Sequence, residues 1–180
     1  GVTLFRLDEG MDTGPIAGTA PCVIEPTDNA ASLLEKLRLL GASVLSEALP
    51  KIESDLMVFS EQKHADATFA PKLTRHDAQI NWSNSAKDIE NLIRGTNPEP
   101  GAFTFLADQT VKILEARAVQ TRDELATAGG AVQLGTVSKA GKAITVSCGR
   151  GVLELKRVQP AGKNPMTGVD WYIGVARGKS

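Results

Sequence analysis

The stretch Ala143–Gly162, "AITVSCGRGVLELKRVQPAG", decides the architecture. Ile144 and Val146 alternate with Thr145 and Ser147, and Val152, Leu153, Leu155 and Val158 mark a second apolar run. Alternation at a period of two is the mark of strands with one buried face, and the Gly149-Arg150-Gly151 turn between the two runs reads as a connection of neighbouring strands. Just upstream, "LGTVSKAGKAITVSC" reads as a hairpin about Ala140-Gly141-Lys142. Earlier still, "AFTFLA" and "VKILEARAV" flank an Asp108-Gln109 turn, and the polar "TRDELATAGG" reads as a surface loop between strands.

About five short strands in roughly 80 residues predict a small β-barrel of the oligonucleotide-binding type. A helix precedes them. "INWSNSAKDIENLIRGTNPEP" places Ser83 or Ser85 at its N-cap, Ile89, Leu92 and Ile93 on its buried face, and Gly95 at its stop. Before it, "SDLMVFSEQKHADATFAPKLTRHDAQ" is polar, contains Pro71 and has no clear period, which is the character of a connector.

The N-terminal part has a different grammar. "VTLFRLD" reads as a buried strand, "EGMDTGP" as a turn and "APCVIEP" as a second extended piece. Thr27 or Asp28 then caps a helix to about Pro50, with Leu33, Leu37, Leu40, Val44, Leu45, Leu49 and Ile52 as its core-facing stripe. Strand, loop and long amphipathic helix form an α/β pattern, incomplete because one such unit cannot cover both faces of a sheet. The expected organisation is an α/β part over residues 1–58, a connector over 59–76 and the barrel over 77–180.

Composition excludes several classes. With 42% apolar and 23% charged residues, the chain is an ordinary globular one without disordered bias. Two cysteines, Cys22 and Cys148, form neither a metal-ligand cluster nor a disulfide framework, and no metal is expected. No apolar run approaches the ~18 residues of a membrane span, and no signal peptide pattern is present. The chain opens without Met, in mid-strand, so the expectation is a piece of a longer cytoplasmic enzyme.

The formal net charge of −1 is unevenly spread. From Gly135 onward eight cations (Lys139, Lys142, Arg150, Lys156, Arg157, Lys163, Arg177, Lys179) face only Glu154 and Asp170. Such a segment fits either an anionic partner or a solvated sheet edged with lysine. Aromatic content of 4% argues against base-stacking platforms of the single-strand-binding type, and Trp82 and Trp171 read as packing residues.

Asp12-Thr13-Gly14 carries the chemistry. An aspartic protease needs two carboxylates sharing a proton, hence two such loops, and this chain has one. Alone the triplet is a turn, yet loops leaving the carboxyl ends of strands in α/β sheets hold ligands, and this one is dense in acids: Asp8, Glu9 and Asp12.

The segment "GVTLFRLDEGMDTGPI" resembles the strand and loop of the folate-dependent formyltransferases, where D-x-G-x-D-T-G carries the catalytic aspartate. "SLLEKL", "FAPKLTRHDAQINW", "IRGTNPEPGAF" and "GVLELKRVQPAGKNPM" continue the likeness, the last part being similar to the C-terminal domain of the methionyl-tRNA formyltransferases. The resemblance implies a Rossmann-like catalytic domain, a linker and a barrel. It implies transfer of a formyl group from 10-formyltetrahydrofolate to the α-amine of initiator methionyl-tRNA by a monomeric, metal-free enzyme. Asp12 maps to the catalytic aspartate, and Asp8, Gly10 and Thr13 border the folate site. Lys72 and Arg75 in the connector, with Lys156, Arg157 and Lys163 on the barrel, become phosphate contacts for tRNA.

The family's Asn and His lie upstream of the matched segment. His64 and His76 do not replace them and read as surface histidines, so these residues alone are expected not to formylate. Formyltetrahydrofolate hydrolases and aminosugar-nucleotide formyltransferases share the loop, and a non-enzymatic RNA-binding module is the rival from another class.

Overall fold

The computed structural model describes residues 1–106, 109–119 and 133–177. The chain divides into two compact units, Gly1–Lys72 and Leu73–Ser180.

In the first unit, β1 (Val2–Phe5) pairs antiparallel with β2 (Ile16–Ala20), and α1 (Ala30–Glu53) packs on both. The expected second extended piece, "APCVIEP", is not a strand; the pairing falls earlier, on "IAGTA". Gly and Ala have weak strand propensity, so cross-strand pairing rather than residue type selects β2. The two strands are antiparallel and do not form the parallel sheet of an α/β pattern.

Helix α1 starts one or two residues later than expected because Asn29, not Thr27 or Asp28, is the N-cap. Its Oδ1 accepts the Ser32 N–H at 2.9 Å, and Ser32 Oγ accepts the Asn29 N–H at 3.1 Å. Asp28 serves the cap from outside. Buried to 5% exposure, its carboxylate accepts the Lys36 ammonium at 2.7 Å, Ser32 Oγ–H at 2.9 Å and the Glu25 N–H at 2.8 Å. The helix runs through Pro50, which forfeits one hydrogen bond in the final turn, and ends at Glu53. Leu33, Leu37, Leu40 and Val44 are partly buried as expected, whereas Leu45, Leu49 and Ile52 are exposed. Their side of the helix finds no covering element among the described residues.

The second unit is a sheet in the order β3-β4-β7-β6-β5: β3 (Phe103–Leu106), β4 (Gln109–Val119), β5 (Val137–Ala140), β6 (Ala143–Ser147), β7 (Val152–Pro160), with β8 (Met166–Thr167) on β7. Every described strand pairing is antiparallel. Among the described residues the sheet does not close into the expected barrel. Its two ends, β3 and β5, do not pair. The core closes instead under helices. α2 (Ala86–Thr96), capped by Ser85, puts Ile89 and Ile93 at 1% exposure against Ile113, Leu153 and Val158. Each such fully buried side chain contributes about 1.5–3 kcal/mol. Trp82 and Trp171 both pack on this core, Trp82 Nε1–H donating to Thr104 Oγ1 at 3.0 Å.

A close approach fixes one turn. A Cβ at Gly149 would overlap the Ser83 carbonyl oxygen, so only glycine lets the β6–β7 turn lie against the entry to α2. Strand β8 and helix α3 (Gly168–Arg177) were not anticipated, although "TGVD" is a start signal: Thr167 Oγ1 accepts the Asp170 N–H at 3.1 Å. Asp108 of the expected turn and the "TRDELATAGG" excursion lie outside the described residues.

Lys36 holds the Asp28 carboxyl down to about 2 from an ordinary 3.8, with the Glu25 N–H assisting. A depressed carboxyl stabilises the fold above its unfolded value and loses that contribution as pH falls through its folded one. Asp28→Asn is therefore expected to lower the melting temperature of this chain at pH 7. The gap to the wild type should shrink as pH falls from about 4 toward 2, as followed by circular dichroism.

Candidate functional site

The acid-rich loop leaves β1 at Phe5 and returns into β2 at Ile16. Its neck is closed by the Arg6 N–H, which donates to the Pro15 carbonyl at 3.0 Å. Gly14 lies buried inside the neck, where a Cβ would overlap the Arg6 carbonyl oxygen. Within the loop, Asp8 Oδ1 accepts Thr13 Oγ1–H at 2.6 Å and the Gly10 N–H at 3.0 Å. The Thr13 hydroxyl above all, with the Gly10 amide, draws the Asp8 carboxyl below its ordinary value. Asp8, Gly10 and Thr13 are thus brought together and bind one another, shaping the loop.

Asp12 sits at the tip, exposed, with φ of 57°. Asp and Asn are the side chains that tolerate this left-handed conformation, and a non-glycine residue held there is a mark of a constrained site. Among the described residues nothing hydrogen-bonds or ion-pairs with its carboxylate. Its backbone is held instead: Gln62 Nε2 donates to the Asp12 carbonyl at 2.9 Å and to the Gly14 carbonyl at 2.6 Å. Gln62 is itself positioned by a two-way bridge, Ile16 N–H to Ser60 O at 2.7 Å and Ser60 N–H to Ile16 O at 2.9 Å. Phe59 adds a face for the Arg6 guanidinium, 5.0 Å from the ring centroid.

Gln62 escaped the sequence reading. It stands in a polar stretch without period, and the carbonyls that it holds are 48 and 50 residues away in the chain. No local pattern encodes that. His64 and His76 open short 3₁₀ turns and are exposed.

The cations do not gather at one point. Lys72 is the last residue of the first unit, and Arg75 lies near the start of the second, its guanidinium 5.1 Å from the Phe103 centroid. Lys156 and Arg157 are adjacent and both exposed because the β4–β7 pairing is bulged there, breaking the alternation between Leu155 and Val158. Lys156 is partnered by Glu154 at 2.6 Å. Lys163 lies exposed beyond β7, its carbonyl accepting the Gln159 amide at 3.1 Å. No group of three His, Cys, Asp or Glu side chains that could hold a metal occurs among the described residues.

Residues 72–176 match the family described as formyl transferase, C-terminal domain. A protein named methionyl-tRNA formyltransferase from Streptomyces griseus subsp. griseus is 37% identical over 175 residues, covering 97% of this chain and 54% of that one. Another of the same name, from Arthrobacter sp. strain FB24, is 41% identical over 174 residues with the same coverage. The chain spans about half the length of these curated relatives. HypX from Aquifex aeolicus, crystallised with tetrahydrofolic acid, superposes with a TM-score of 0.66 over 96% of this chain and 29% of its own. At 16% identity that is a likeness of fold.

The loop geometry separates two substitutions. Gly14→Ala should force the neck open, so that the Arg6 amide exchanges hydrogen at least about tenfold faster. Asp12→Asn should leave that exchange rate unchanged, because Asn accepts the same backbone conformation.

Proposed function

Because the chain belongs to the formyl transferase family, whose C-terminal domain spans residues 72–176, we propose that it is the C-terminal half of a methionyl-tRNA formyltransferase. In this reading a formyl group passes from 10-formyltetrahydrofolate to the α-amine of initiator methionyl-tRNA. The observation that carries it is Asp12: a carboxylate without a partner among the described residues, at the tip of a loop that Gln62 and the Arg6–Pro15 neck hold in shape.

The amine nitrogen attacks the formyl carbon, the carbonyl electrons move to oxygen, and a tetrahedral oxyanion forms. Collapse restores the carbonyl, expels the folate nitrogen with a proton, and leaves the amine formylated. Donors aimed at the oxyanion lower the barrier most. An Asn and a His supplied by the upstream half take that part, and Asp12 orients the imidazole and favours its protonated form. An exposed carboxylate is compatible with this only if another segment lies over it. The exposed Leu7 and Met11 of the loop support an upstream half that covers it, and the exposed Leu34, Leu45, Leu49 and Ile52 of α1 are further apolar surface for such a half to bury.

Arg75, Arg157 and Lys163 provide tRNA phosphate contacts, with Lys72 at the end of the first unit and Lys156 weakened by its Glu154 partner. The enzyme acts as a cytoplasmic monomer and needs no metal. No described helix is long and apolar enough to cross a membrane.

In the full-length protein, Asp12→Asn should cut formylation about 10²- to 10⁴-fold while methionyl-tRNA affinity holds. Equal activity would remove Asp12 from the mechanism. Arg157→Glu and Lys163→Glu should each weaken tRNA binding and lower the magnitude of its log–log salt slope by about one, and Lys156→Gln should do less. Unchanged slopes would return these residues to a solvated surface.

A further inference from the structure

A cleft on the second unit takes no part in the formyl transfer itself, although Arg75, given above to tRNA phosphate, forms one wall. Arg75, Glu99, Pro100, Phe103, Thr110 and Lys112 line a volume of about 240 Å³. Phe103 and Phe105 are two apart on β3 and so share a face, paired with Lys112 and Thr110 of β4. Their rings meet edge to face with centroids 5.6 Å apart. Phe103 is buried at 5% exposure, while Phe105 stands at 56%. The Arg75 guanidinium already occupies the Phe103 ring, 5.1 Å from its centroid. Among the described residues neither Arg75 nor Lys112 is ion-paired, and Glu99 is the single acid in the lining, leaving a cationic surplus of one.

The volume is below the ~300–1,000 Å³ that encloses a drug-sized ligand. It suits a phosphate and a sugar, with a flat group lying outside on the exposed ring. A guanidinium and an ammonium bind phosphate, and an aromatic face stacks a base. Bases in a duplex stack on one another, so an unpaired nucleotide is the one that reaches the ring. An acidic peptide would satisfy the cations but leave the Phe105 face without a planar partner.

We infer that this cleft is a subsite for one unpaired nucleotide of an RNA, its base stacked on Phe105 and its phosphate held between Arg75 and Lys112. The inference rests on the tRNA reading above and adds to it a contact that depends on a base. The low aromatic content of the chain fits a single stacking position.

The test uses the full-length protein and fluorescence anisotropy with a short labelled oligocytidylate, an abasic ribose-phosphate oligomer of equal length, and methionyl-tRNA. The oligocytidylate should bind about 5- to 100-fold tighter than the abasic oligomer. Phe105→Ala should erase that ratio and Phe105→Tyr preserve it. Arg75→Gln and Lys112→Gln should each weaken both oligomers and reduce the salt slope by about 0.7. Equal affinity of the wild type for the two oligomers overturns the subsite, even where Arg75 and Lys112 still set the slope. Tighter binding of polyglutamate than of either oligomer overturns it in favour of an acidic protein. Binding of tRNA without discrimination between the oligomers sinks the subsite alone; discrimination without tRNA binding sinks the tRNA reading alone.

Discussion

The second unit depends on the pairing of β4 with β7. These two strands bury Ile113, Leu153, Leu155 and Val158 on one side, and α2 packs on both. The pairing slips twice, between Ile113 and Glu115 and again between Glu115 and Ala116, so Leu114 and Lys156 fall out of register. A bulge leaves a backbone group without its ladder partner, and a buried carbonyl left unpaired is costly. Asn97 meets that need, its side-chain amide donating to the Leu114 carbonyl at 2.9 Å. The same bulge lets Lys156 and Arg157 both face solvent while Leu155 and Val158 remain in the core. Core packing and cation display are therefore two consequences of one irregularity.

The first unit is organised around a different constraint, the closure of the loop between β1 and β2. Glycine at position 14 permits the neck, Asp8 gathers the loop about its own carboxylate, and Gln62 holds the backbone of the tip. These contacts use backbone carbonyls and the Asp8 side chain, and none of them engages the Asp12 carboxylate. Phe59–Gln62 thus acts with the loop, although its composition reads as connector. The apolar side chains left exposed on α1 distinguish this unit from the second, where β4 and β7 bury one apolar face under α2.

Much was legible in the sequence wherever local pattern and burial coincide. The strands over 103–106, 137–140, 143–147 and 152–160, a serine cap at 83 or 85, which the structure places at Ser85, and the Ile89 and Ile93 face of α2 follow from periodicity and capping chemistry. The Asp12 loop was legible as a functional candidate because its acids and glycines cluster within a few residues. Failures arose where a partner distant in the chain decides. β2 is a strand because β1 pairs with it, and Leu45, Leu49 and Ile52 continue an apolar stripe that the described neighbours do not cover. Among the described residues the end strands β3 and β5 do not pair, and helices cover the core instead.

By itself the sequence determined which residues alternate, where the two long helices begin to within a residue or two, and which carboxylate lies in a glycine-rich loop, since these follow from spacing along the backbone. Only the tertiary structure decided that Gln62 grips that loop, that Asn97 satisfies a bulge, and that Arg75, Phe103 and Lys112 line one cleft with the Phe105 ring against Phe103. The physical reason is that hydrogen bonds and ring contacts act over a few ångströms of space. The partners of Asn97 and Gln62 lie 17, 48 and 50 residues away in the chain, so no short window read along the sequence contains them.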